Sequence, residues 1–292
     1  MTTTPSPSPD ILGLSPEVTN QAGPVGEFIQ ETLALTRRLF IQLQRRPSTL
    51  IAGIIQPLMW LILFGALFKN VPQGLFGASR DYGQFLCAGV IVFTAFSGAL
   101  NAGLPVMFDR EFGFLNRLLV APLVSRFSIV LASALFITTL SVLQSAAIVG
   151  TGYLLGSGLP SWSGLGVVML IILCLVFGVT ALSLGLTFAL PGHIELLAVI
   201  FVINLPLLFA STALVPLEFM PGWLQVVASL NPLSFAIEPI RYLYLHPAWT
   251  FGDVVMAAPW GNVSLWQSMA LLLGFAGLVV VSIQGLLRRT LA

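Results

Sequence analysis

The chain has 292 residues, of which 57% are hydrophobic and 8% charged, where a soluble domain usually carries about 25% charged residues. That deficit excludes a soluble globular fold and points to an integral membrane protein. The net charge of +1 gives nucleic acid no electrostatic footing.

Residues 1–26 lack a basic region followed by an apolar one, and carry Pro5, Pro7, Pro9, Pro16 and Pro24 among Ser and Thr. This composition predicts a disordered cytoplasmic tail and no secretory signal. In residues 27–47, Phe28, Ile29, Leu33, Leu39, Phe40 and Leu43 recur at helical spacing, with Arg37, Arg38, Arg45 and Arg46 on the polar side. The spacing predicts an interfacial amphipathic helix lying flat on the inner membrane surface, its arginines against anionic headgroups.

Six apolar runs follow, near 51–68, 85–107, 128–156, 165–190, 196–216 and 267–287, and none contains Asp, Glu, Lys or Arg. A charge at the centre of a spanning helix costs roughly 2.5–3.5 kcal/mol on insertion scales, so the charges sit at the ends. The predicted fold is an all-α integral membrane protein with six transmembrane helices. A cytoplasmic N-terminus places nine basic residues inside (Arg37, Arg38, Arg45, Arg46, Arg110, Arg117, Arg126, Arg288, Arg289) and three outside (Lys69, Arg80, Arg241). This bias predicts a multi-pass protein of the plasma (inner) membrane with both termini cytoplasmic. Cys87 and Cys174 fall inside apolar runs and read as small hydrophobes, with no disulfide or metal pair. From Pro216 to Trp266 the chain is rich in Pro and Trp. Such proline density forbids one continuous helix and predicts short outer re-entrant helices, then a Trp-rich loop.

Residues 107–130 hold five charges, Asp109, Arg110, Glu111, Arg117 and Arg126, between two apolar runs. Phe108, Phe112, Leu115, Leu118 and Leu119 form an apolar stripe, Arg110, Gly113 and Arg117 lie opposite, and Pro122 ends the pattern. A short cytoplasmic helix over about 108–122 follows. Its charged face is either a protein-docking surface or a plain positive-inside loop; the order of the stripe and the acids Asp109 and Glu111 favour docking. The chain has no G-x-x-x-x-G-K-[ST] segment and no charge within the spans that could couple transport to protons or sodium. Its power therefore comes from another polypeptide.

The order of basic helix, six spans and the segment "REFGFLNRLLVAPLVSRFSIVLAS" resembles the membrane subunit of ABC-2-type ABC transporters. The likeness is to the daunorubicin-type drug-resistance export permeases and their cyanobacterial and plastid relatives. Glu111, Gly113, Leu118 and Pro122 match that family's coupling-helix segment, with Arg126 one residue out of spacing. Ser211, Ala213, "MPGWLQ" and "NPLSFAIEPIR", which ends at Arg241, match its C-terminal signature; Phe235 and Asn204 depart from it. The resemblance implies a partner ATPase with a Walker A motif, which binds ATP and Mg, while this chain holds no cofactor, no metal and no catalytic residue. It also implies a second six-span permease unit, identical or paralogous, in a dimer. Arg110, Glu111, Asn116 and Arg117 become contacts with the ATPase, with Gly113 allowing close approach.

Asn204 and Pro206 read either as a packing kink or as a bend facing the export path. Glu218 and Glu238 either pair with Arg241 or solvate at the outer edge, or else gate substrate release. His193 reads as a surface residue, and "ALSLG", residues 181–185, as packing of small residues. The spans, lacking charge, suit an amphipathic or lipid-like cargo such as a drug or glycolipid. A polysaccharide exporter is the alternative, followed by a secondary transporter or channel, and then by a membrane-embedded enzyme.

Overall fold

The computed structural model describes residues 23–45, 47–68, 82–113 and 127–291, with side chains up to residue 283. Arg46, Asn116, Arg117, Leu118, Pro122 and Arg126 lie outside the described residues. The elements in order are α1 (Pro24–Arg45), α2 (Pro47–Leu67), α3 (Tyr82–Leu100), α4 (Gly103–Glu111), α5 (Phe127–Leu154), α6 (Trp162–Ala189), α7 (His193–Phe209), α8 (Gly222–Leu230), α9 (Pro232–Leu245), β1 (Val254–Ala258), β2 (Gly261–Ser264) and α10 (Leu265–Leu291).

Among the described residues, five helical stretches are long and apolar enough to cross a membrane: Leu50–Leu67, Tyr82–Glu111, Leu131–Leu154, Trp162–Ala189 and Leu265–Ile283. The fifth expected span, 196–216, is different. Its helix α7 has 17 residues and stops at Phe209, so it is about 25 Å long against a hydrocarbon core of about 30 Å. The helix stops there because Asn231 caps it: the side-chain amide donates to the carbonyls of Leu207 (2.8 Å) and Ala210 (2.6 Å). The chain then turns through Ser211–Thr212–Ala213, all buried.

α3 is the central helix. It packs against α2, α5, α6 and α9, and 78% of its spanning window is buried, against 6% for α2. Its small residues permit this enclosure. A Cβ at Gly89 would stand 2.6 Å from the carbonyl oxygen of Ala213, so only glycine lets that turn approach.

The second span is broken between Leu100 and Gly103. A break at membrane depth frees backbone groups that must find partners within the protein. Helix α6 supplies them: Ser183 Oγ donates to the Leu100 carbonyl (2.6 Å) and accepts from the Gly103 N–H (2.9 Å), and the Thr187 hydroxyl donates to the Gly103 carbonyl (3.1 Å). The serine of "ALSLG" thus holds a helix junction.

Of the helix expected over 108–122, only residues 108–113 are among those described. Residues 108–111 are the last turn of α4, and Gly113 follows at φ 74°, a left-handed position that ends the helix. The Trp-rich loop is also more ordered than expected. β1 and β2 form an antiparallel hairpin with Met256 opposite Val263, both buried, and Trp260 Nε1 donates to Ser229 Oγ of α8 at 3.0 Å. The bundle therefore has two ends: an α1 end, where α1, α4 and the α6–α7 turn meet, and a hairpin end.

Candidate functional site

At the α1 end, three consecutive charged residues close α4, and each reaches a different element. Asp109 accepts both guanidinium nitrogens of Arg38 on α1, each at 2.9 Å, a bidentate fork. Arg110 donates to the carbonyls of Thr187, Leu190 and Pro191, each at 2.6 Å. Thr187 is in the last turn of α6, Leu190 is its C-cap and Pro191 follows, so the guanidinium gathers carbonyls at the helix end, where a cation also suits the helix dipole. Glu111 accepts from the backbone N–H of His193 at 2.6 Å and from its Nδ1, so it caps the start of α7. Phe108 lies against the His193 ring, centroids 5.3 Å apart. Asp109, Arg110 and Glu111 form a three-way clamp.

Three of the five charges of this stretch thus have partners within the chain. Arg38 serves Asp109, although lipid headgroups were its expected partners, while Arg37 and Arg45 are exposed on α1. Arg110 and Glu111 are used within the chain. Gly113 meets nothing within 4 Å of a built Cβ, and its backbone is in the left-handed region at φ 74°. His193 is not a plain surface residue, because Glu111 holds it. Its pairing is not legible in sequence, since 82 residues separate the two.

At the hairpin end, Arg241 is 8% exposed. It pairs with Glu238, donates to the Thr212 carbonyl (2.8 Å) and the Phe85 carbonyl (3.4 Å), and its guanidinium lies 3.7 Å from the centroid of the Phe85 ring. Asn231, besides capping α7, accepts the Leu233 N–H at 2.9 Å and starts α9 with Pro232 behind it. Asn231 and Arg241, the two ends of the "NPLSFAIEPIR" segment, are therefore structural fasteners. Glu218 is exposed and stands apart from Arg241. Phe235 is a core residue, 7% exposed.

Within the span region a cavity of about 440 Å³ lies between α2, α3, α5 and α7. Asn204 lines it and accepts from Ser97 Oγ at 3.2 Å; Pro206, about half a turn further along α7, is exposed. Gln56 and Gln144 line the same cavity. Sequence reasoning passed over both because it searched the spans for charge, and their signal was an amide in an apolar run. Nearer the hairpin end, a second cavity of about 410 Å³ is lined by Phe64, Phe68, Tyr82, Phe209 and Phe219, among others.

A bundle of long apolar helices, with the charged side chains among the described residues gathered at its two ends, defines a multi-pass membrane protein. The particular class follows from comparison with known proteins. Residues 30–245 match the family of ABC-2 type transporters, and the chain belongs to that family. It is 58% identical over 247 residues to a protein of Porphyra purpurea named putative transport permease ycf38, covering 85% of each chain. The Cyanophora paradoxa protein of the same name is 54% identical over 248 residues, covering 85% of this chain and 86% of its own. A daunorubicin resistance ABC transporter permease protein of Streptomyces coeruleorubidus is 30% identical over 232 residues, covering 77% and 78%. The protein is thus an ABC-2 transport permease of the membrane.

Proposed function

We propose that this chain is the membrane-spanning subunit of an ATP-driven exporter that moves an amphipathic or lipid-like substrate out of the cytoplasm. A separate ATPase subunit with a Walker A motif binds ATP and Mg and supplies the work. The permease acts in the plasma membrane as a dimer of two such units, with its α1 end facing the cytoplasm. The observation that carries this reading is the clamp at the end of α4. Asp109, Arg110 and Glu111 are joined to α1, α6 and α7, so a displacement applied just beyond Gly113 is transmitted to three elements at once.

In this reading the segment after Gly113, with Asn116, Arg117, Leu118, Pro122 and Arg126, receives the ATPase. Arg110 and Glu111 pass the displacement on without touching the partner. Family membership and the name of the daunorubicin-resistance relative support export of an amphipathic compound. A polysaccharide cargo is the second reading, favoured by the aromatic row Trp60–Phe64–Phe68, whose successive ring centroids are 5.4 and 6.2 Å apart.

The test is purification of the tagged chain together with co-expressed ATPase candidates, followed by transport in proteoliposomes. ATP-dependent movement of an amphipathic cargo, lost in Arg117→Ala, is the expected result. Cargo movement by the purified chain with no nucleotide-hydrolysing companion overturns the proposal.

A further inference from the structure

The cavity between α2, α3, α5 and α7 has an apolar wall, including Trp60, Phe93 and Phe136, interrupted by uncharged hydrogen-bonding side chains. No Asp, Glu, Lys, Arg or His is among its described lining residues. Gln144 on α5 is 5% exposed, and its amide makes no hydrogen bond with any described residue. Its amide nitrogen and oxygen are reachable from the chamber and offer two donors and an acceptor to whatever fills it. The site is also built around that amide. A Cβ at Gly53 of α2 would collide with its nitrogen, and one at Gly98 of α3 would stand 3.3 Å from its oxygen. Two glycines on two helices leave room for the Gln144 side chain, whose amide faces the chamber. Gln56, one turn from Trp60 on α2, adds a second amide to the same wall.

We infer that this cavity binds the uncharged head of an amphipathic molecule, one bearing hydroxyl or amide groups, with Gln144 and Gln56 as the side chains that recognise it. A charged head is disfavoured because no counter-charge is among the described lining residues, and an ion taken to membrane depth without a partner is costly. A purely apolar molecule would leave the Gln144 amide unmatched. The apolar part of the ligand lies along Trp60, from which Phe64 and Phe68 lead to the aromatic cavity at the hairpin end. This rests on the exporter reading and narrows its substrate class.

Full-length protein in phosphatidylcholine nanodiscs is titrated with dibrominated monoglucosyl diacylglycerol, dibrominated phosphatidylglycerol and a dibrominated trimethylammonium lipid. The signal is the bromine quenching of Trp60, taken as the difference between wild type and Trp60→Phe. The glucosyl lipid should quench at a lower mole fraction than either charged lipid, and Gln144→Leu should weaken that preference about tenfold, the cost of one buried hydrogen bond. Gln144→Asn, which keeps an amide, should retain part of it and thereby separates recognition from misfolding. Displacement by octyl glucoside below its micellar concentration would uphold the cavity and assign water-borne amphiphiles as a source. Failure to displace, with the glucosyl preference intact, would uphold it and assign bilayer lipid. Equal quenching by the three lipids, or a preference untouched by Gln144→Leu and Gln56→Leu, overturns the inference. No nucleotide enters the measurement, so a failure of ATP-driven export and a failure of this site are separate results.

Discussion

Arg241 and Glu238 form a buried ion pair at the hairpin end, with side chains 9% and 16% exposed. Removing one member of such a pair leaves the other buried without compensation, which costs about 3–5 kcal/mol. Arg241→Met should therefore lower the thermal unfolding midpoint in detergent by far more than a surface change, and Arg241→Met with Glu238→Leu should recover much of the loss. The Arg38–Asp109 pair is more exposed, at 28% and 23%, and its contribution to stability is about 1 kcal/mol or less. Asp109→Ala should barely move the midpoint, yet uncouple ATP hydrolysis from transport. The exchange Arg38→Asp with Asp109→Arg should restore coupling. Asp253 gives a pH signature outside the spans. The Thr250 hydroxyl and amide, then Tyr242, hold its carboxyl below its ordinary value of 3.8. A lowered folded value means stability that is present above that ordinary value and lost as pH falls through the lower one. Asp253→Asn should flatten that acid limb, read by tryptophan fluorescence of the hairpin region.

Among elements, α4 matters most, because its two ends are unusual. Its start is held by Ser183 and Thr187. Ser183→Ala strips the Gly103 N–H and relieves the Leu100 carbonyl of its partner, at a cost of about 1–3 kcal/mol. Its end is set by Gly113 at φ 74°. Gly113→Ala should cost about 1–2 kcal/mol, since a side chain strains that conformation. Gly113→Asn should cost less, because asparagine tolerates left-handed backbone. Equal losses for Ala and Asn, measured by thermal midpoint, would show that conformation is not what Gly113 provides. Most of α4 was foreseeable as an apolar run ending in charge. The break at residues 101–102 has a local mark in Asn101, Gly103 and Pro105, but the partners that make it tolerable are about 80 residues away on α6.

For the molecule as a whole, the α1 end and the hairpin end carry the chemistry, and the bundle between them carries the cavity. The topology has a direct check. Ala248, exposed near the hairpin end, and Gln30, exposed on α1, can each be replaced by cysteine. An impermeant maleimide should label Ala248→Cys in intact cells and Gln30→Cys only after permeabilisation. Labelling of both in intact cells would contradict a cytoplasmic α1 end and the positive-inside count together.

By itself the sequence determined what depends on composition and local period: a membrane protein of long apolar helices, charges expelled to their ends, an amphipathic helix before the first of them, and the motifs of an ABC-2 permease. Each of these is a property of neighbours along the chain. Tertiary structure alone decided what those charges do, which carbonyl Arg110 caps, why α7 stops at Phe209, and that Gln144 stands unmatched between two glycines. Hydrogen bonds at membrane depth have no water as an alternative partner, so each polar group is settled by whichever helix packs against it, and that neighbour is chosen by the fold.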